Sequence, residues 1–192
     1  EMITGQTKGY FSAMRPASVY INGQYFGLYE MREKLDEEFF KVYDDYSIDD
    51  PDVLTLSYWN GGELRATAGD VEHYWQSLLS FNDLDPNDAD FIEQANQIYD
   101  LEYLADYIIG ESWIGNADWP WNNIKISRNE GTGYRWRFST IDLELSLAPN
   151  GWTDCYFNGL QYVFDQGQGN PYSGVWVKSM QNDDYYQYFI NR

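Results

Sequence analysis

The sequence predicts an α+β domain with a β-rich first lobe and a mainly helical second lobe. Three observations predict it. An Asn22-Gly23 step separates two runs of alternating residues near the start. Apolar residues recur at helical spacing between Val71 and Ser112, and a second pair of alternating runs follows, turning at Gly131 and Gly133. Strands first, helices next and a hairpin last is an order that segregates the two kinds of structure. A length of 192 residues suits one domain, 1–192, with the division near residue 66: 1–66 β-rich and 67–192 helical, the 123–145 hairpin lying at the junction.

The elements follow in order. Asn22-Gly23 supplies the two positive-φ residues of a tight two-residue turn, so Ser18–Ile21 and Gln24–Met31 form a hairpin. Both faces of its second strand carry apolar groups, which predicts cover on both sides. Residues 34–43 read as a short acidic and aromatic helix. Val53–Tyr58 reads as a short strand closed by Asn60-Gly61-Gly62. From about Asp70 the stripe Val71, Tyr74, Trp75, Leu78, Leu79 predicts a helix. Asp88 is placed as the cap of the next, holding Phe91, Ile92 and Ala95. Asp100 caps a third, whose stripe runs Leu101, Leu104, Ala105, Ile108, Ile109 and Ser112 and stops at Gly115-Asn116. Asn123–Arg128 and Tyr134–Leu145 form the second hairpin, 149–174 reads as loop, and a last helix starts near Asp183.

Composition excludes several function classes. The net charge is −19, from 31 acidic against 12 basic residues, so the surface repels nucleic-acid phosphates and anionic lipid. Solubility alone explains such acidity; the functional alternative is attraction of a basic protein substrate or of divalent cations. One cysteine, Cys155, rules out an intrachain disulfide and argues against a thiolate zinc cluster; it reads as a buried or loop thiol. One histidine, His73, argues against His-rich zinc hydrolysis and Ser-His-Asp catalysis. What remains is carboxylate-bound magnesium chemistry, or glycoside hydrolysis by two acids. No window is apolar enough to span a bilayer. Because the sequence opens at Glu1, it is read as a truncated piece of a longer protein, and the lack of a visible leader is uninformative. Aromatic residues reach 19%, a compositional pointer towards extracellular and sugar-handling proteins.

The segment richest in chemistry is Asn116-Ala117-Asp118-Trp119-Pro120-Trp121-Asn122-Asn123, followed by Ile141-Asp142-Leu143-Glu144. A helix end delivers Asp118 into a loop stiffened by Pro120. A hairpin beginning at Asn123 returns to Asp142, so Asp118, Asn123 and Asp142 should converge at one edge. Phosphoryl transfer needs such a set: one carboxylate to orient the attacking hydroxyl and take its proton, and an amide oxygen with a second carboxylate to hold magnesium on the nucleotide phosphates. Protein kinases show the same order, an Asp, an Asn five residues later, a short hairpin and a metal-binding Asp. Spacing alone is weak, since Asn122 and Asn123 also suit a turn and Asp118 a helix-end cap.

A second motif narrows the choice. Arg15-Pro16, Tyr20-Ile-Asn-Gly-Gln-Tyr-Phe-Gly-Leu-Tyr29, Glu33-Lys34 and Phe39 precede Asn116-Ala-Asp118, Asn122-Asn123, Trp136 and Asp142-Leu-Glu144, with Asn182–Arg192 closing the chain. In this order and over most of its length the chain resembles the spore coat protein H (CotH) kinase family. The resemblance implies a remote protein-kinase-like, two-lobed fold. It also implies transfer of phosphate from ATP, with Mg2+ or Mn2+, to a protein such as a coat or surface component. Carried over residue by residue, it makes Asp118 the catalytic carboxylate and Asn123, Asp142 and Glu144 the metal holders. Glu33 and Lys34 fall where an ion pair or phosphate-binding lysine would lie, with Lys8, Arg15 and Arg32 as rival cations. Asn122 stands where the family often has His, and Glu144 replaces the second Asp of an Asp-x-Asp motif. Relatives are often exported or coat-associated, so the expected location is extracellular or at a surface.

The competing reading is a catalytically inactive binding module of the same family with an aromatic carbohydrate-binding surface. Trp119, Trp121 and Trp152 are its candidates, packing around the loop being their other role. A two-carboxylate glycosidase has no motif beyond the abundance of acids.

Overall fold

A computed structural model describes residues 8–45, 50–147 and 153–192. Its architecture is α+β, with two antiparallel sheets and seven α-helices among the described residues. Strands β1 (Met14–Ile21) and β2 (Gln24–Arg32) form a two-stranded ribbon. Asn22 (φ 52°) and Gly23 (φ 80°) turn it as the Asn-Gly step predicts. The expected cover on β2 is not found among the described residues. Tyr25, Phe26, Leu28, Tyr29 and Met31 are all exposed. Apolar groups on both faces give the strand no single side to bury, and every residue of β2 except Gly27 is exposed.

Helix α1 (Glu37–Asp44) follows, capped by Asp36, whose side chain accepts from the Phe39 amide. Strand β3 (Asp52–Leu56) is then joined to β4 (Leu64–Ala68), a strand that the sequence did not signal. Only Leu64 of β4 is buried, so the edge strand lacks a strong alternation. Helices α2 (Glu72–Asn82), α3 (Phe91–Ala95) and α4 (Leu101–Trp113) come next. The cap of α3 is Asp90, not Asp88, and makes no side-chain bond; the Asp88 carbonyl accepts from the Phe91 amide. Asp100 caps α4 as expected, accepting from the Tyr103 amide.

Strands β5 (Ile124–Arg128) and β6 (Arg137–Ser139) complete a sheet of order β4-β3-β5-β6, antiparallel throughout. The return strand is far shorter than 134–145: at its start Trp136 leaves the hairpin to bridge Tyr99, and beyond its end Asp142 takes φ 53°, which breaks the extended backbone. The segment read as loop contains α5 (Gly159–Gly167), and α6 (Gly174–Ser179) and α7 (Asp183–Ile190) follow. Gly159 is required there: a Cβ would lie 2.2 Å from the Ser112 carbonyl oxygen of α4. This close approach disguised a helix as glycine-rich loop. Trp152 lies outside the described residues.

Alternation along the strands gives the sheet two different faces. Leu54, Leu56, Ile124, Ile126 and Phe138 join a large core built with α2–α7, whose fully buried rings include Trp136, Tyr74, Tyr99 and Phe81. Burying such rings supplies most of the favourable free energy of folding. The opposite face carries Val53, Thr55, Lys125 and Arg137, and Val53 packs with Tyr10, Leu35, Phe39 and Phe40 under α1. Arg137 binds this second layer to the first. Its guanidinium donates to Asp100 (2.9 Å), Asp44 (3.1 Å) and the Tyr10 hydroxyl (3.0 Å), and lies 4.1 Å from the Tyr103 ring centre. No helix among the described residues is long and apolar enough to cross a membrane.

Candidate active site

The site forms where α4 ends. Gly115 takes φ 63°, which reverses the chain without a Cβ clash. Asn116, almost wholly buried, then fixes the turn. Its amide nitrogen Nδ2 donates to Glu111 Oε2 (2.8 Å), and its Oδ1 accepts from the Asp118 backbone N–H (3.1 Å). Tyr162 of α5 donates its hydroxyl to the Ala117 carbonyl (3.0 Å). Trp119 turns inward and is buried, its Nε1 bonded to the Tyr107 hydroxyl, so it belongs to the core and offers no sugar platform.

This frame presents the half-buried Asp118 carboxylate to two amides. Asn122 Nδ2 reaches both its oxygens at 3.1 Å, and Asn123 Nδ2 reaches Oδ2 at 3.0 Å. Asn122 is itself held, since its Oδ1 accepts from the Tyr58 amide (2.6 Å). With Nδ2 turned to Asp118, the carbonyl oxygen of Asn123 is the part of that side chain left for another partner. The register Lys125↔Ser139 puts Asn123 and Asp142 at the same open end of the β5–β6 hairpin, both in the left-handed region (φ 52° and 53°) that Asn and Asp tolerate.

Asp142 and Glu144 are exposed neighbours. The charge of Asp142, and a hydrogen bond that the protonated Glu144 carboxyl donates to it, push Glu144 above the ordinary carboxylate range; Asp118 adds to this and Arg32 opposes it. Asp118, Asp142, Glu144 and Arg32 therefore share one electrostatic neighbourhood. The structure gives the adjacent Glu33 and Lys34 different partners. Glu33 accepts from the Ala13 amide (3.0 Å) and the Tyr43 hydroxyl (3.3 Å), whereas Lys34 is exposed and pairs with Asp36 (3.3 Å). Lys8 pairs with Glu102. Among the described residues, no three His, Cys, Asp or Glu side chains gather closely enough to cage a metal. The donors at hand are two carboxylates and an amide oxygen. Those are hard ligands of the kind magnesium takes alongside phosphate and water, so the residues fit a divalent ion shared with a nucleotide.

A cleft of about 440 Å³ opens beside Asp118, walled by Tyr58, Trp59, Trp121, Asn122 and Tyr162. Trp121 is exposed and donates to Gln166, and Trp59 is 91% exposed. Sequence reasoning missed Tyr58 and Trp59, which come from the β3–β4 connection, and Tyr162 from α5. It also passed over Glu111, although a carboxylate three residues after Ile108 and seven after Leu104 falls on the apolar face of α4, which was the available signal.

A family model described as CotH kinase protein matches residues 5–192. The chain belongs to the CotH kinase family. Comparison with curated proteins and with solved structures gives no match. Membership in the CotH kinase family makes this a kinase-like protein, for which ATP and a divalent metal are the general requirement. The match spans both motifs, the Asp118 loop and the β1–β2 ribbon.

Proposed function

We propose that this CotH family chain transfers the γ-phosphoryl group of ATP to a hydroxyl group on a protein. One observation carries the reading: Asp118 is gripped by Asn122 and Asn123 at the end of a helix, in the same electrostatic neighbourhood as Asp142 and Glu144. Asp118 orients the acceptor hydroxyl and takes its proton. The hydroxyl oxygen forms a bond to the γ-phosphorus. The bond from that phosphorus to the β,γ-bridging oxygen breaks, and ADP leaves with the electron pair. Asn123, Asp142 and Glu144 would hold magnesium or manganese, which when bound neutralises phosphate charge. Glu33 and Lys34 border the nucleotide from the first lobe. On this reading the β-rich first part of the chain flanks the nucleotide and the helices from α2 onward form the second lobe of a protein-kinase-like fold, with the sheet of β3, β4, β5 and β6 shared between them. The kinship with coat proteins supports a surface or extracellular location and a coat or surface protein as substrate.

Titration calorimetry with ATP and magnesium or manganese tests this. Wild type should bind, and Asp142→Ala should bind at least about tenfold more weakly, the scale on which metal sites respond to loss of a supporting group. Wild type that binds no nucleotide with either metal removes the kinase reading.

The aromatic cleft supports a second reading, an inactive module that binds carbohydrate through Trp59 and Trp121. On that reading Trp59→Ala abolishes glycan binding, and changes at Asp118 or Asp142 have no effect on it.

A further inference from the structure

Glu111 lies in the last turn of α4 and is 1% exposed. A carboxyl in such a place is costly unless its hydrogen bonds are used. It is used twice. Oε2 accepts from Asn116 Nδ2, and Asn116 Oδ1 accepts from the Asp118 amide, so two hydrogen bonds link the buried carboxyl to the backbone of Asp118. The Thr140 side chain also bonds to Glu111, and Thr140 is two residues before Asp142 at the exit of β6. One turn earlier on α4, Tyr107 receives Trp119 Nε1, gripping the far side of the same loop. A single side chain thus touches both segments that the phosphotransfer site requires.

We propose that Glu111 is a positioning residue, which sets the Asp118 loop against the Asp142 strand exit through Asn116 and Thr140. This rests on the kinase reading for its catalytic consequence, but not for its geometry. The groups facing Glu111 are Tyr107 from its own helix, Asn116 from the loop and Thr140 from the strand exit; no cation is among them. Burial raises the carboxyl to about 7, the bonds from Asn116 and Thr140 opposing that rise. Ionised, Glu111 is a pure acceptor for Asn116 and Thr140; protonated, it is a weaker acceptor and its hold on them loosens. The site should therefore tighten as pH rises through neutrality.

Two variants and two measurements test the proposal. In Glu111→Leu the Asp118 amide loses its anchored acceptor. Its hydrogen exchange, read by NMR, should speed up about five- to tenfold, as loss of one hydrogen bond implies. Glu111→Gln still accepts from Asn116 but cannot titrate, so the limb near pH 7 in the pH profile of phosphate transfer should vanish while Mg-ATP affinity is kept. Exchange at Asp118 unchanged in folded Glu111→Leu overturns the proposal, as does a Glu111→Gln profile that keeps the limb. If wild type neither binds nor uses ATP, the kinase reading fails. The exchange measurement then still decides whether Glu111 holds the loop. Should Glu111→Leu not fold, the Asp118 amide in Glu111→Gln replaces it: wild-type exchange there loosens below neutral pH, and the variant's does not.

Discussion

Asp118→Ala is expected to slow phosphate transfer by roughly 10²- to 10⁴-fold, the contribution typical of a positioned general base. Mg-ATP affinity should stay close to wild type. The split follows from the geometry. Asp118 faces the cleft and the amides of Asn122 and Asn123, whereas the metal would rest on Asn123, Asp142 and Glu144. Removing the carboxylate takes away the group that receives the hydroxyl proton and leaves the carboxylates of the hairpin end in place. Rapid-quench assays of transfer to a basic protein and to the chain itself, with calorimetry of ATP binding, read the two quantities separately. An Asp118→Ala variant that transfers phosphate at the wild-type rate would sink the assignment. One that loses ATP as completely as Asp142→Ala would move Asp118 into the binding set.

The second large effect lies away from the chemistry. Arg137→Ala should destabilise the fold by about 3–5 kcal/mol, the usual consequence of removing one partner from a buried charge network. The Arg137 side chain is 14% exposed, and the Asp44 and Asp100 side chains that it joins are 2% and 8% exposed. Without the guanidinium, both carboxylates stay buried with one fewer donor, and the layer of α1 and Tyr10 loses its tie to the sheet. Urea unfolding followed by circular dichroism measures this, with Arg32→Ala as the exposed comparison, whose midpoint should not move. A loss below about 1 kcal/mol for Arg137→Ala would mean that the other donors to Asp44, Asn129 and Tyr10, hold the layer together with its apolar packing and need no guanidinium.

What could be read in the sequence was local. Asn22-Gly23 announced its turn because two adjacent residues determine it, and Asp100 announced its helix because the cap bond spans three residues. The grip of Asn122 and Asn123 on Asp118 spans four and five residues, so the motif carried its own geometry. Long-range partners left no such trace. The Tyr58 amide that fixes Asn122 is 64 residues away, just past β3, and the pairing of β3 with β5 that brings the two together leaves no local pattern. Helix α5 was hidden because its glycines answer to the proximity of other helices, Gly159 to α4 and Gly167 to Val177 of α6, and not to loop conformation. Glu111 was passed over for a different reason: a lone carboxylate in an apolar stripe reads as a surface residue until the fold encloses it.

The uncovered β1–β2 ribbon has a thermodynamic consequence. Its apolar side chains meet solvent already, so unzipping it hydrates little new surface. Heat-capacity change tracks newly hydrated apolar area. The nineteen positions from Met14 to Arg32 should then add almost nothing to the calorimetric increment. Scanning calorimetry should give a value per residue below the ~12–15 cal/mol/K of compact domains, and deletion of the ribbon should bring the remaining chain back towards that range.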